Sequence, residues 1–529
     1  MVITSSLPDI SIPDVPVTPY IFENAGGRAT KAALVDGPSG RTYDFATLQT
    51  LIQGFAGGLA TNGFQPGEVL MILAPNIPEY VIALHGTLVS GGTVTTANPT
   101  YTARELRHQM EDSGATWLFT IPLLLPLARE AMAGDSKISR IVVLGETDPA
   151  EATGVKLLDA FALATGDAYE GHAPVDPADH VAVLPYSSGT TGNPKGVMLT
   201  HRNLVANLAQ GGSMVAASSD DVVIAVLPYF HVYGLQILMN FNIRVGATAV
   251  SLPRFDLEQF LQVMQDHEVT RAYLVPPIVL ALAKHPLVDR YDLSKLKSIV
   301  SGAAPLSTEL ADEVTDRIGA EILQGYGMTE TSPATHVALV GCGKPGSVGG
   351  VVPNSECRVV DVSTGEDAAQ GNSGEIWVRG PHIMKGYLNN PEATAETIDA
   401  DGWLHTGDIG YVDPDGDFYI VDRLKELIKY KGFQVPPAEL EGLLLSHGAV
   451  ADAAVIPVPD EEAGEIPKAF VVLKDGAEAT AGELQDFVAG QVASFKKIRE
   501  LEFIDAIPKA VSGKILRRVL RDAEMAKRA

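Results

Sequence analysis

Short apolar runs alternate with longer runs of mixed polarity along most of the chain. The apolar runs have the length of β-strands and are rich in Val, Ile and Leu: LMILAPN (70–76), VVIAVLP (222–228), RAYLVPP (271–277) and LKSIVSG (296–302). The runs between them, such as DLEQFLQVMQDH (256–267), space their apolar residues as one face of a helix requires. This alternation predicts βα units around mainly parallel sheets.

The pattern changes after about residue 340, where short β-rich runs follow one another with tight turns between them. In DIGYVDPDGDFYIVDR (408–423), the DPDG sequence between two β-rich runs predicts a hairpin. After Arg423 two helix-like runs and two strand-like runs indicate a smaller α+β unit. The sequence therefore predicts an α/β protein in three parts. These are a large N-terminal region of βα-layered sheets with a β-rich subdomain (1–421), a hinge (422–425) and a small mobile α+β C-terminal domain (426–529).

Composition narrows the range of partners. The 529 residues include 39 basic and 65 acidic side chains, giving a net charge of −26, which argues against nucleic-acid binding. Cys342 and Cys357 have neither metal-type nor disulfide-framework spacing, as in proteins of a reducing compartment. No apolar run reaches the roughly 18 residues of a membrane span, and the N-terminus lacks a signal sequence. We therefore expect a soluble cytoplasmic protein with a small-molecule partner.

A loop rich in glycine and hydroxyl side chains stands out in YSSGTTGNPKGVMLTH (186–201). We expect it between a strand (VAVLPY) and a helix (RNLVANLA), where backbone N–H groups and hydroxyls can bind phosphate oxygens and Lys195 can supply positive charge. The spacing differs from a P-loop, because Pro194 and Gly196 flank the lysine. On composition alone, a solvated surface loop is the simpler interpretation.

The whole string closely resembles the phosphate-binding signature of the adenylate-forming superfamily, which includes acyl-CoA synthetases, peptide-synthetase adenylation domains and beetle luciferases. Further signatures of that superfamily follow in the expected order: LPYFHVYGL (227–235), SGAAPL (301–306), QGYGMTE (324–330), GEIWVRG (374–380), LHTGD (404–408), DRLKELIKYKGFQVPPAELE (422–441) and PKAVSGKILRR (508–518). The resemblance covers essentially the whole chain. YKGFQVPPAELE and VPPIVLALAKHP are most similar to 4-coumarate–CoA ligases and their bacterial relatives.

This resemblance implies an ATP-dependent carboxylate–CoA ligase that forms an acyl-adenylate from an aryl acid of the 4-coumarate or cinnamate type. ATP, Mg²⁺ and coenzyme A are the implied cofactor and co-substrates. Asp408 is expected to accept the ribose hydroxyls, Tyr326 to stack on adenine, and Glu330 to bind Mg²⁺. The full implied nucleotide site comprises Ser187, Ser188, Gly189, Thr190, Thr191, Lys195, Gln324, Gly325, Tyr326, Thr329, Asp408, Arg423 and Lys425.

The catalytic and coenzyme A residues that the resemblance implies lie mostly beyond the predicted hinge. Lys514 is expected to bridge the substrate carboxylate and the α-phosphate during adenylation, and rotation about residues 422–425 would then withdraw it. Lys429 and Gln434 are implied for the second half-reaction, and His231 for gating the acyl site. Arg254, Lys431 and Gly432 are implied for coenzyme A.

The implied acyl pocket departs from the plant ligases at two positions. Its residues are Val232, Tyr233, Gln236, Leu274, Val300, Ala303 and Val337, with Gly325 and residues 331–337 beside them. Val300 stands where the plant enzymes commonly have lysine, and Leu274 where they have methionine. The sequence therefore predicts preference for an acid whose far end is apolar. Three alternatives stay open: a medium-chain fatty acyl-CoA synthetase, a luciferase-like or acyl-AMP ligase that does not use coenzyme A, and an inactive scaffold.

Overall fold

A computed structural model describes residues 1–134, 136–145, 155–187, 194–424, 426–431, 433–460, 462–510 and 513–528. Its largest sheet has nine strands, and the six central ones run parallel. In spatial order the strands are Gly350–Val351, Ala334–Val337, Glu321–Gly327, Ser298–Ser301, Arg271–Leu274, Val222–Ala225, Thr248–Ser251, Ala32–Asp36 and Thr42–Asp44. Antiparallel strands close the sheet at both edges.

A second sheet has eight strands, of which six run parallel and the two at one edge antiparallel. In spatial order they are Gly386–Tyr387, Lys195–Thr200, Val181–Ser187, Thr93–Thr96, Val69–Leu73, Trp117–Thr120, Arg140–Val143 and Lys156–Asp159. One hydrophobic core joins the residues of both large sheets and the helices between them. Since parallel strands are buried on both faces, their near-continuous apolar runs are explained by this layering.

The helices begin at the polar or proline residues that the sequence supplies as caps. Asp44, Asp256 and Ser307 each accept a hydrogen bond from a backbone N–H of the helix that follows. The α-helices are Val17–Phe22, Phe45–Thr61, Pro78–Val89, Ala103–Ser113, Leu125–Ala131, Ala160–Ala164, His201–Met214, Asn242–Val245, Leu257–Asp266, Pro276–Lys284, Thr308–Ile318, Pro391–Thr397, Pro437–Ser446, Ala481–Ala489 and Arg517–Arg528.

Two smaller sheets complete the fold. The first is antiparallel and contains Ile3–Thr4, Glu356–Val360, Gly374–Arg379, Leu404–Val412 and Phe418–Arg423. The second contains Phe433–Val435, Ile428–Tyr430, Gly464–Leu473 and Val450–Asp460, with Glu500–Phe503 beside Gly464–Leu473. The predicted α/β fold class is confirmed. The first of these sheets ends at Arg423 and the second begins at Ile428, and the hinge between them stays a prediction.

The predicted phosphate loop has a different setting from the expected strand–loop–helix unit. Residues of KGVMLT form the strand Lys195–Thr200, which pairs antiparallel with Val181–Ser187. Lys195 lies directly opposite Ser187 in this pairing. The helix begins only after Thr200, whose hydroxyl and Asn203 form reciprocal caps.

The segment after His231 forms an eight-residue π-helix, Gly234–Phe241, which the sequence did not predict. Such helices are rare and are frequently found at functional sites. The π-helix begins at Gly234, whose backbone packs against the backbone of Pro228. A Cβ at Gly234 would overlap the Pro228 carbonyl group. Within the described residues, every helix is too short or too polar to cross a lipid bilayer.

Gly234→Ala should destabilise the protein by about 1–3 kcal/mol, because the added methyl group forces the π-helix away from Pro228. The thermal unfolding midpoint of the two proteins measures this. Gly442→Ala is the matched control, since a Cβ at that position in the helix Pro437–Ser446 meets open space. It should be neutral or slightly stabilising. Equal midpoints for Gly234→Ala and wild type would contradict the close packing.

Candidate active site

A large and mostly apolar cavity opens between the nine-stranded sheet, the helix His201–Met214 and the π-helix. The space not filled by atoms is about 820 Å³, which includes open solvent outside the cavity. The lining residues are Asn207, Leu208, Gly211, Val215, His231, Val232, Tyr233, Ile237, Phe241, Tyr273, Val300, Ser301, Gly302, Ala303, Gly325, Tyr326, Gly327, Met328, Pro333, Ala334 and Val337. The parallel strands of the sheet bring their carboxyl ends to the mouth, where α/β proteins usually bind ligands.

Of the residues predicted for the acyl pocket, Val232, Tyr233, Val300, Ala303 and Val337 line this cavity, whereas Leu274 and Gln236 do not. Leu274 is fully buried in the core and does not line the cavity, whereas its neighbour Tyr273, which is also a buried core residue, does. Successive side chains of a strand point to opposite faces of the sheet. The cavity wall therefore contains the phenol of Tyr273 in place of the predicted Leu274 side chain.

Gln236 belongs to a buried chain of polar groups behind the cavity wall. Its Nε2 donates to the Leu204 carbonyl oxygen at 2.9 Å, and its Oε1 accepts from Asn240 at 2.8 Å. Asn240 Oδ1 is 3.0 Å from a ring nitrogen of His85, whose other nitrogen lies 3.0 Å from the Thr18 hydroxyl. The chain therefore fixes the π-helix against the helix His201–Met214, which supplies the opposite part of the wall.

Asp408 is a buried carboxylate with two partners at the cavity mouth. It lies opposite Arg423 in neighbouring strands, and Arg423 Nε is 3.2 Å from its Oδ1. The Tyr326 hydroxyl donates to Oδ2 at 2.6 Å. Burial raises the pKa of Asp408 above its ordinary value, although Arg423, the Tyr326 hydrogen bond and the charge of Lys514 oppose the shift. Three of the implied nucleotide-binding side chains are thus brought together.

Lys514 reaches this cluster from the small domain. Gly513, in front of it, adopts a positive φ of 79°, and a Cβ there would be 3.2 Å from Pro277 of the large region. Burial lowers the pKa of Lys514, Arg423 acts in the same direction, and Glu426 and Asp408 oppose it. An ammonium group with these neighbours lies close to the ribose and phosphate positions that the sequence implies.

His231 lines the cavity near the same lysine. Its Nδ1 accepts a hydrogen bond from the Tyr233 backbone N–H at 3.3 Å, which orients the ring. Burial lowers the pKa of His231 to about 4, and the charge of Lys514 contributes. The imidazole is therefore neutral at physiological pH and can pack against an acyl group without placing a second cation there.

Tyr387 contacts two predicted site residues, Lys195 and Glu330, and was not itself predicted from the sequence. Its hydroxyl donates to Oε1 of the buried Glu330 at 2.8 Å, and Lys195 Nζ lies 4.7 Å above its ring centre. The strand Gly386–Tyr387 pairs with Lys195–Thr200, which places the ring beside the lysine. The tyrosine lies almost 200 residues from Lys195 in the chain, so only the strand pairing reveals this contact.

The remaining nucleotide-site residues are close to these groups. Gln324 is buried and exchanges hydrogen bonds with the backbone of Leu306, while Gly325 lines the cavity. Thr329 is half-buried in a single 3₁₀ turn beside Glu330. Ser188, Gly189, Thr190, Thr191 and Lys425 lie outside the described residues.

The described residues implied for coenzyme A and the second half-reaction, Lys429, Lys431 and Arg254, are exposed. Lys429 lies in the strand Ile428–Tyr430, and Lys431, at a positive φ of 47°, pairs with Glu462 at 2.6 Å. Arg254 is exposed in the turn after the strand Thr248–Ser251. Gly432 and the side chain of Gln434 lie outside the described part of the chain. Lys429, Lys431 and Arg254 therefore do not join Lys514 in the cavity mouth.

Comparison with known proteins defines the family. The profile of the AMP-binding enzymes matches residues 21–388, and that of the AMP-binding enzyme C-terminal domain matches residues 439–514. The chain therefore belongs to the AMP-binding enzymes, and its predicted place in the adenylate-forming superfamily is confirmed. It is 46% identical over 534 residues to 4-coumarate–CoA ligase 5 of Oryza sativa subsp. japonica, with 98% of this chain and 97% of that protein covered.

Solved structures of similar architecture cover nearly the whole chain. The anthranilate CoA ligase AuaEII in complex with anthranoyl-AMP has a TM-score of 0.89 at 27% identity, with 98% of this chain and 99% of that chain covered. ATP-bound MatB from Rhodopseudomonas palustris has a TM-score of 0.87 at 30% identity, and its apo form 0.77 at 29% identity. Each MatB comparison covers 97% of this chain and 99% of MatB.

Tyr326→Phe should lower stability by about 1–3 kcal/mol, because the buried Asp408 carboxylate loses a donor that it cannot replace with bulk water. Thermal unfolding without ligand measures the loss. Tyr419→Phe, which changes a half-buried ring stacked on Tyr411, should have a smaller effect. Identical losses for the two variants would show that the Asp408 contact contributes nothing specific.

Proposed function

We propose that the protein is an ATP-dependent carboxylate–CoA ligase that activates an aryl acid of the 4-coumarate or cinnamate type through an acyl-adenylate. Relatives that carry the name 4-coumarate–CoA ligase are 44–46% identical to it over nearly their whole length. The observation that carries the proposal is the meeting of Lys514, Asp408 and Arg423 at the mouth of a large apolar cavity.

In the first half-reaction, a carboxylate oxygen of the acid attacks the α-phosphorus of ATP and pyrophosphate leaves. Two anions must approach each other, so the site has to place positive charge where negative charge accumulates. Lys514 supplies it between the carboxylate and the α-phosphate, and Lys195 supplies it near the β- and γ-phosphates. Asp408 and Arg423 bind the ribose, which fixes the α-phosphate relative to the acid in the cavity.

Glu330 is the residue that would hold Mg²⁺. Its carboxylate is buried, and among the described residues Tyr387 is the one side-chain donor to it, at Oε1. One carboxylate suits Mg²⁺ at a nucleotide site, since phosphate oxygens and waters complete its coordination. When bound, the ion neutralises charge on the phosphates. Tyr387 orients the carboxylate and holds Lys195 above its ring, so one side chain aligns both groups.

In the second half-reaction, the thiol sulfur of coenzyme A attacks the acyl carbon, the bond to the phosphate oxygen breaks, and AMP leaves. Lys429 and Lys431 are exposed while Lys514 is docked, so the small domain must rotate to exchange them. The structure of this chain is more similar to ATP-bound MatB than to apo MatB, with TM-scores of 0.87 and 0.77. This difference supports the assignment of the arrangement with Lys514 docked to the adenylation step.

A balanced product assay tests the function. Purified protein with ATP, Mg²⁺, coenzyme A and a panel of aryl and medium-chain acids should release AMP and pyrophosphate and form one thioester per AMP. An acid-dependent release of AMP without thioester would favour the ligase that does not use coenzyme A. Absence of pyrophosphate release with every acid would favour the scaffold.

Lys514→Ala should reduce acid-dependent pyrophosphate release by at least about a hundredfold, since it removes a preorganised charge from phosphoryl transfer. Conversion of supplied acyl-AMP to thioester should be retained, because that step uses the other domain orientation. Lys474→Ala is the control: this half-buried lysine donates to the Gly448 carbonyl oxygen within the small domain. A similar loss of both half-reactions in Lys514→Ala would contradict two domain orientations.

Tyr387→Phe should raise the KM for Mg·ATP about tenfold with a smaller change in the KM for the acid. The buried Glu330 loses its donor, and a hydrogen bond to a charged group contributes about 1.5–3 kcal/mol. The phenyl ring stays beneath Lys195, so Tyr387→Leu should add a further loss by removing the cation–π contact. Titration of ATP and of Mg²⁺ at a fixed concentration of the acid measures the change in KM for each variant. An equal rise for acid and nucleotide would contradict the assignment.

A further inference from the structure

Residues 3–17, the N-terminal strap, run outside the large cavity from the antiparallel sheet to the helix His201–Met214. At one end, the strand Ile3–Thr4 pairs antiparallel with the strand Glu356–Val360. At the other end, the Val17 backbone N–H donates to Nδ1 of the first residue of that helix at 3.3 Å. The profile of the AMP-binding enzymes begins beyond the strap, so the strap lies outside the part of the chain that defines the family.

Asn354 fixes the strap between these two ends. Its side-chain amide accepts a hydrogen bond from the Ile10 backbone N–H at 3.0 Å and donates to the Ile10 carbonyl oxygen at 3.1 Å. Its own backbone N–H donates to the Asp9 carboxylate at 3.0 Å. The neighbouring Pro353 carbonyl oxygen accepts from Gln210 of the helix at 2.8 Å, so the strap and the helix are held by the same loop.

Leu7 is the strap residue that packs behind the lining of the cavity. Its half-buried side chain packs against a small apolar cluster that contains Val337 and Val352. Val215 and Ala334 pack against the same cluster, and they line the cavity together with Val337. One layer of side chains therefore separates Leu7, which does not line the cavity, from the space that a ligand would fill.

The lining at this place depends on side-chain packing for its position. The helix ends at Met214, and the backbone of Val215 is already extended, so the regular hydrogen bonding of the helix stops there. Val337 is the last residue of the strand Ala334–Val337. Because protein interiors are closely packed, removal of a supporting side chain lets its neighbours move part of the way into the space left behind.

We propose that Leu7 is a positioning residue that sets the width of the acyl cavity at Val215, Ala334 and Val337. The inference rests on the proposed function and deepens it: the strap limits the size of the acid that the cavity accepts. Leu7 acts only through the lining side chains. A shorter side chain at this position lets them move outward, which makes room for bulkier acids and loosens the fit of smaller ones.

Leu7→Ala tests the inference with pairs of acids that differ only in the size of one ring substituent. The pairs are cinnamates with a methyl or a tert-butyl group at ring position 3, and the same pair at ring position 4, so that a substituent facing Val337 is included. In at least one pair, the kcat/KM ratio of the bulky to the small acid should rise about tenfold, mainly through KM. The KM for Mg·ATP should not change. Leu7→Met fills a similar volume and should keep the wild-type ratio.

Leu473→Ala is the matched control. Leu473 is also a half-buried leucine, but it packs against the apolar cluster of the small domain. This variant should lower the thermal unfolding midpoint, as Leu7→Ala does, and keep the wild-type ratio in both pairs of acids. Should Leu7→Ala fail to fold, Leu7→Val makes the same test with a smaller deletion and a smaller rise in the ratio.

Wild-type ratios in both pairs for the Leu7 variant overturn the inference and leave the proposed function intact. A rise of the same size in Leu473→Ala or in Leu7→Met also overturns it, and so does an equal rise in the KM for Mg·ATP and for the acid. Failure of the wild-type protein to form thioester from any acid overturns the proposed function instead, and the inference with it.

Discussion

The buried carboxylate of Asp408 is the constraint on which the site depends. Its strand belongs to the antiparallel sheet, its phenol donor Tyr326 belongs to the nine-stranded sheet, and Lys514 approaches it from the small domain. A buried charge is costly unless it is paired and hydrogen-bonded. The two sheets must therefore meet to stabilise it through Arg423 and Tyr326, and Lys514 adds to that stabilisation while the small domain is docked.

The same principle explains how a protein with a net charge of −26 can bind polyanions. Only local potential matters at this range, because salt screens distant surface charge. Lys195, Arg423 and Lys514 are each held by a specific neighbour: an aromatic ring, a carboxylate and a packed glycine turn. Because these cations are already held in place, little free energy is spent on reorganising them during the reaction. A few of them are therefore enough to stabilise the negative charge that develops in the transition state.

Much of the architecture and the order of the site segments could be predicted from the sequence. The βα alternation, the DPDG hairpin and the small α+β unit follow from periodicity and turn residues. Contacts that arise only when distant strands pair could not be predicted, as Tyr387 with Lys195 and Glu330 demonstrates. The sequence predicted that Leu274 would line the cavity, whereas Tyr273 does, and the reason is different. In a fully buried strand both faces are apolar, so the alternation of polar and apolar residues does not show which side chains face the cavity.

The polar chain from Thr18 through His85 and Asn240 to Gln236 also bears on how substrate range changes during evolution. None of its members touches the cavity, yet it sets the spacing of two helices that form the cavity wall. A substitution at His85 would therefore alter cavity shape from behind, leaving every lining side chain unchanged. Lineages can drift toward new acids through such positions, and a comparison restricted to lining residues would not detect the change.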